Sequence, residues 1–112
     1  MIRVIYRWTV HPEHADTFVE SWWEATRYIQ RMAPGARGSA LLRSQSENDV
    51  YVAVARWDSL DAWRANQQGD PNVVPDANAE AMKASMATPT ICEIFDELRD
   101  WPSFDDAGRF SG

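Results

Sequence analysis

Residues 2–10 alternate between two sides of an extended chain. Ile2, Val4, Tyr6, Trp8 and Val10 fall on one face, and Arg3, Ile5, Arg7 and Thr9 on the other. Period two with β-branched and aromatic residues predicts a strand. Ile5, set between two arginines, predicts that the second face is partly covered as well. His11, Pro12, Glu13 and His14 then make a turn into a helix, where proline suits the first turn because its missing N–H costs nothing there. Phe18, Trp22, Ile29 and Met32 recur at helical spacing with Ala15, Val19 and Ala25 beside them, while Glu20, Glu24, Arg27 and Arg31 fall mostly elsewhere. This predicts an amphipathic helix of about five turns, stopped at Ala33, Pro34 and Gly35.

Residues 39–44 read as a second strand, and 45–49 as the polar turn of a hairpin. The third strand runs over 50–57, with Tyr51, Ala53, Ala55 and Trp57 on one face and Val52, Val54 and Arg56 on the other. Asp58 is the expected N-cap of a second helix, with Leu60 and Trp63 on or near its apolar side. Residues 69–72 break that helix. Residues 75–87 read as helical again, with Met82 and Met86 four apart, and Pro89 resets the chain before a last strand over 90–95. The order is β-α-β-β-α-β with the second helix in two pieces, an α+β, ferredoxin-like pattern built on an antiparallel four-stranded sheet. Residues 1–96 form the expected domain. Residues 97–112 form an acidic C-terminal extension, either exposed or packed as an arm on a partner subunit. Helices on one side of such a sheet leave Ile5, Val52 and Val54 on the other, too apolar to stay wet. A second copy across a two-fold axis covers them, so the expected state is a homodimer.

Composition narrows the function classes. The 112 residues carry a formal net charge of −6. Nucleic acid and anionic membrane surfaces repel such a chain, and its eleven Lys and Arg are scattered along it. The first residues lack a basic stretch followed by an apolar block, and no apolar run is long enough to span a bilayer. With a single cysteine, Cys92, unable to form an internal disulfide, these features predict a cytoplasmic protein. The unusual quantity is six tryptophans, bulky side chains that either fill a heavy core or line a flat apolar pocket.

The segments Val4 to Val10 and Ala55 to Trp63, joined through a helix bearing Trp22, resemble the antibiotic biosynthesis monooxygenase family. Its recurrent signature is a run of small residues followed by tryptophan, serine, alanine and an aromatic, here Trp57, Ser59, Ala62 and Trp63. The resemblance covers roughly residues 2–96. It implies a dimeric α/β barrel with a pocket between the sheet and the helices of each subunit. In one branch it implies oxidation of polycyclic phenols to quinones by O2 without metal or flavin. Trp57 matches the pocket tryptophan of that branch. The branch's asparagine four residues earlier is Ala53 here, its tyrosine six residues after the tryptophan is Trp63, and its helical arginine falls near Ala77. The haem-degrading branch places a histidine ligand on the later helix, and no histidine follows His14.

Tyr6, Trp8, Trp22, Trp57 and Trp63 all belong to faces that point toward one space, with Ala53 and Ala55 beneath them. Either a pocket for a planar ligand or large-on-small core packing satisfies that pattern. On the pocket reading, Tyr6, Trp57 and Trp63 are the candidate catalytic residues, and Trp8, Trp22, Tyr51, Ala53 and Ala55 bind substrate. Cofactor-free oxygenation needs a substrate that ionises to an electron-rich anion, a site that favours the anion, and exclusion of water. The donors within reach of this reading are Tyr6, the Trp57 and Trp63 indoles, Arg64 and His11. His11, Glu13, His14 and Asp16 lack a third ligand from elsewhere, so no metal is expected. No nucleotide-binding glycine loop exists. Cys92 is expected as a small buried hydrophobe. The function expected is a cofactor-independent monooxygenase for a small planar aromatic such as a hydroquinone or anthrone, with no cofactor and with O2 as co-substrate. The alternatives are a non-catalytic dimeric module for a small apolar ligand, and a structural dimer whose pocket is packed shut.

Overall fold

The computed structural model describes residues 1–68, 84–87 and 90–101. Strand β1 spans Ile2–Thr9 and is followed by a 3-10 turn over Pro12–His14 and helix α1 over Ala15–Met32. Strands β2 (Ala36–Arg43) and β3 (Val50–Trp57), helix α2 (Leu60–Gln68) and strand β4 (Ile91–Asp96) complete the described elements. The sheet is antiparallel with order β2-β3-β1-β4. This is the ferredoxin-like arrangement, with β3 and β1 at its centre. Most of the helix expected over 75–87, including Met82, lies outside the described residues. Ala84 and Ser85 are helical, and Met86 bridges Val10. No described helix is long and apolar enough to cross a membrane.

Register carries the sequence alternation into space. Val4 pairs with Ala55, Tyr6 with Ala53 and Trp8 with Tyr51. Directly opposed residues share a face, so these six side chains point toward the helices. Ile5, Val52 and Val54 share the outer face and are half-buried within one chain. Leu42 and Phe95 on that face are exposed.

Strand β2 begins three residues before its expected start because a bulge absorbs the irregular stretch. Ala36 pairs with Trp57, but Ser39 pairs with Ala55, so two residues of β2 face the single Arg56. Gly38 adopts φ +103°, and its N–H donates to Gln30 Oε1 of α1 at 2.9 Å. A bulge reverses the alternation beyond it, which turns Ser39 and Leu41 inward. Gly35 also has positive φ, and a Cβ there would stand 2.7 Å from Ala62 Cβ. The α1–β2 turn thus abuts α2 directly.

The cap of α2 is Ser59, whose Oγ accepts from Ala62 N at 3.1 Å. Asp58, the expected cap, is drawn away by Arg37, which donates to both carboxylate oxygens at 2.7 and 2.9 Å. A bidentate charge-assisted pair outcompetes a single backbone N–H.

Two apolar clusters fill the space between sheet and helices. Trp8, Val10, Phe18, Trp22, Tyr51 and Ala53 form one; Ile2, Val4, Ala55 and Trp57 form the other. Phe18 is wholly buried and sits edge-on to Trp8 at 5.2 Å and tilted against Tyr51 at 5.4 Å. Truncating it leaves a cavity that rigid rings on both sides cannot close. Phe18→Ala is expected to cost about 3–5 kcal/mol, against a typical domain stability of about 5–15 kcal/mol. Urea unfolding of the purified variant reads this directly. A loss below about 1 kcal/mol would mean that the cluster is not the core.

Candidate functional site

The two clusters do not meet cleanly. Tyr6 packs against both, and a cavity of about 380 Å³ opens beside it. That volume falls within the range of small-molecule sites, roughly 300–1,000 Å³.

The cause is a mismatch of side-chain size. On β1 the inward residues are Tyr6 and Trp8, and on β3 they are Ala53, Ala55 and then Trp57. The two alanines make a low floor between tall aromatic walls. Helix α1 closes the space with Trp22, Ala25, Thr26, Ile29 and Gln30. The spacing of these positions is that of one helical stripe. Helix α2 contributes Asn66 and Gln67, while Ser39, Met86 and Thr90 complete the described lining. None of these residues carries a charge. The described lining is therefore an aromatic and aliphatic slot with amide and hydroxyl groups added.

Tyr6 is the most constrained polar group of the wall. Its ring stacks on Trp8, with centroids 5.7 Å apart and planes within 10°. Its hydroxyl accepts a hydrogen bond from Trp63 Nε1 at 3.0 Å. Burial pushes the phenol's pKa above its ordinary value, while the Trp63 bond partly opposes this and nearby Cys92 adds to it. On the opposite side, the Gln30 carbonyl is occupied by Gly38 N, which fixes which end of the amide is NH2.

The cavity thus unites Tyr6, Trp8, Trp22, Ala53, Ala55 and Trp57, as the alternation pattern led one to expect. Two expected members stand apart. Trp63 is not part of the lining; it packs against the cluster of Ile2, Val4, Ala55 and Trp57, and its indole N–H donates to the Tyr6 hydroxyl. Tyr51 lies opposite Trp8, where Phe18 fills the gap, and faces a separate groove of about 660 Å³ between α1 and β2. Cys92 pairs with Tyr6 on the inward face, but it is exposed because β4 is an edge strand. His11 and His14 sit edge-on at 6.2 Å, and among the described residues no three His, Cys, Asp or Glu side chains gather as a metal site. Ala77, on the later helix, lies outside the described residues.

Sequence reasoning missed the polar part of the lining. Thr26 and Gln30 were readable from Trp22 by adding four and eight positions. Ser39 was hidden by the bulge, and Asn66 and Gln67 by the polar look of α2.

Comparison with known proteins gives a consistent frame. The family described as antibiotic biosynthesis monooxygenase matches residues 1–71. No curated protein matches the chain. Among solved structures, an asparagine-to-alanine variant of SnoaB, a cofactor-independent oxygenase from Streptomyces nogalater, is 26% identical with a TM-score of 0.74. The match covers 91% of this chain and 97% of that one. A Caulobacter crescentus protein of the same family description is 26% identical, with a TM-score of 0.75 over 88% of this chain and 90% of that one. Rv0793 from Mycobacterium tuberculosis shares the fold at 16% identity, TM-score 0.70, over 88% of this chain and 96% of that one.

Tyr6 supplies a check on the site's geometry. Its folded pKa lies above the ordinary 10.0, so the folded state holds this proton more tightly than the unfolded chain. The resulting stability is fully present below the unfolded pKa and is lost as pH rises through the folded pKa. Tyr6→Phe is expected to flatten the fall in urea midpoint above pH of about 10. An alkaline slope unchanged by the substitution would place Tyr6 in open water.

Proposed function

The chain belongs to the antibiotic biosynthesis monooxygenase family, and from that starting point we propose that it is a cofactor-independent monooxygenase for a small planar aromatic of the hydroquinone or anthrone type. The observation that carries this reading is the cavity of about 380 Å³, uncharged among its described lining residues and walled by Trp8, Trp22 and Trp57 over a floor of Ala53 and Ala55. Its similarity to SnoaB, a cofactor-independent oxygenase, supports the same chemistry.

The reaction balances without a reductant. In an anthrone an activated CH2 becomes C=O, and in a hydroquinone a ring C–H becomes C–OH as the ring is oxidised to the hydroxyquinone; in each case one oxygen atom of O2 enters the product and the other leaves as water with two hydrogens. The substrate supplies all the electrons. The protein's part is to hold the ring plane, keep water from the reacting carbon, and favour the ionised substrate that reacts with O2. Trp22 and Trp57 serve the first two tasks as flat apolar walls. Indole N–H and hydroxyl groups of the lining serve the third.

One feature favours a second reading. The floor consists of alanine methyl groups and offers no hydrogen-bonding group beneath the ligand, which suits a carrier or sensor that binds without turnover. Oxygen consumption separates the two. With anthrone and a panel of hydroquinones, the chain is expected to consume O2 and form quinone at a rate unaffected by chelator. Ala53→Leu fills the floor and is expected to reduce both binding and turnover at least about tenfold by overpacking. Binding of the panel with no oxygen consumed above the free substrate's own rate would favour the carrier.

The outer sheet face supports a homodimer. Leu42 pairs with Val52, and Ala40 and Ile5 flank Val54, making an apolar patch across three strands. Arg3 and Arg56 at one end of that face both donate to Glu97, at 2.8 and 3.1 Å, while Arg7 beside Val52 and Glu93 beside Ile5 border the patch with charge. We place a second copy on this patch. Analytical ultracentrifugation is expected to give twice the chain mass, and Val54→Asp to shift it to the monomer. A monomeric wild type would remove the dimer from the account.

A further inference from the structure

Helix α1 and strand β2 leave a trough open to solvent. Two stretches of it, of about 660 and 340 Å³, share Trp23 and Ser39 and so run on from one another along the helix. Because β2 is an edge strand, no described strand closes its open side. Its middle is apolar: Val19 and Trp23, one turn apart on α1, are 37% and 52% exposed. Its ends carry opposite charge. Asp16 and Glu20 border one end, with Arg43 beside them, and Arg27 and Arg31 border the other. Among the described residues Asp16, Glu20 and Arg43 form no ion pair. Arg27 is paired with Glu24 at 3.4 Å, and Arg31 lies over the Tyr28 ring.

We propose that residues 102–112 of the same chain seat in this trough, with Phe110 on Val19 and Trp23, Arg109 at Glu20, and Asp105 and Asp106 at Arg27 and Arg31. Charge order and spacing both match. Asp106 and Arg109 are about 10 Å apart in an extended chain, and Glu20 and Arg27 are about 10 Å apart along a helix. Exposed ion pairs add little affinity but fix direction, and the aromatic anchor holds the segment down.

The segment starts within reach. The Glu97 N–H donates to the Met1 carbonyl at 3.1 Å, and Arg3 donates to Asp100 at 3.1 Å. The described chain therefore ends beside the first residues of β1. Arg3 pairs with Arg56, which faces the Gly38 bulge of β2. That puts β2 two strands away, about 10 Å, and the five residues from Asp100 to Asp105 span up to about 17 Å. A second copy is a poorer occupant, because one trough set against another fills neither, whereas a single extended segment fills it.

The experiment uses the full chain in a Cys92→Ser background. Ser111→Cys is combined with Ala40→Cys on the β2 wall of the trough or, as a control, with Ala65→Cys on α2; both alanines are exposed. A short bismaleimide is expected to join positions 111 and 40 within one chain, seen at single-chain mass on a denaturing gel, and to leave 111 and 65 unjoined. Hydroxyl-radical footprinting read by mass spectrometry then reports Trp23 separately from the other tryptophans. Phe110→Asp is expected to raise Trp23 modification at least about twofold, since the anchor that excludes water is lost. Arg109→Glu and Glu20→Arg should each raise it, and the two together should return it toward wild type. Equal joining to positions 40 and 65, or a Trp23 rate unchanged by Phe110→Asp, would overturn the proposal. Products at twice the chain mass would overturn the seat within one chain and put the segment on a second copy.

Discussion

The structure depends on a contrast in side-chain size across one strand face. Ala53 and Ala55 stand between Tyr51 and Trp57 on β3, opposite Tyr6 and Val4 on β1. In a close-packed interior, small residues are normally met by large ones from the facing layer. Here the facing stripe of α1 presents Trp22, Ala25, Thr26 and Ile29, and a cavity of about 380 Å³ remains between that stripe and the alanines. Phe18, Trp8 and Tyr51 fill one side completely, and Ile2, Val4 and Trp57 the other. The volume left between two good cores is the site.

The same strands set the other face. Because β-strand side chains alternate with period two, the residues that make the cavity force Ile5, Val52 and Val54 outward. Arg3, Arg56 and Glu97 pin the end of β4 to β1 and β3 on that side, and the Arg3 bond holds the Glu97 carboxyl below the usual carboxylate range. Cavity and outer patch are thus two consequences of one register. Among the described strands the bulge at Gly38 is the one departure from that register, and it places Ser39 at the cavity instead of on the outer face.

Much of this was legible in the residues. The alternation in β1 and β3 identified the inward faces, and the Trp22 stripe identified the buried side of α1. What was not legible has specific physical causes. A bulge breaks the period that strand reading relies on, so β2 was foreshortened and Ser39 missed. The choice between Asp58 and Ser59 as cap was decided by Arg37, a residue twenty-one positions away, and no local pattern carries that. Trp63 read as a wall residue because its helix face points inward. Only the three-dimensional placement reveals that its indole is engaged by the Tyr6 hydroxyl and the Ile2, Val4, Ala55 and Trp57 cluster.

The central claim is that the space above Ala53 and Ala55 is open to a flat ring. A crystal structure of the chain grown with anthraquinone tests it most directly. The account predicts electron density for one ring system per chain, lying over the two alanines and bounded by Trp22 and Trp57. Density found only on the outer surface, with side chains filling the gap over β3, would contradict it.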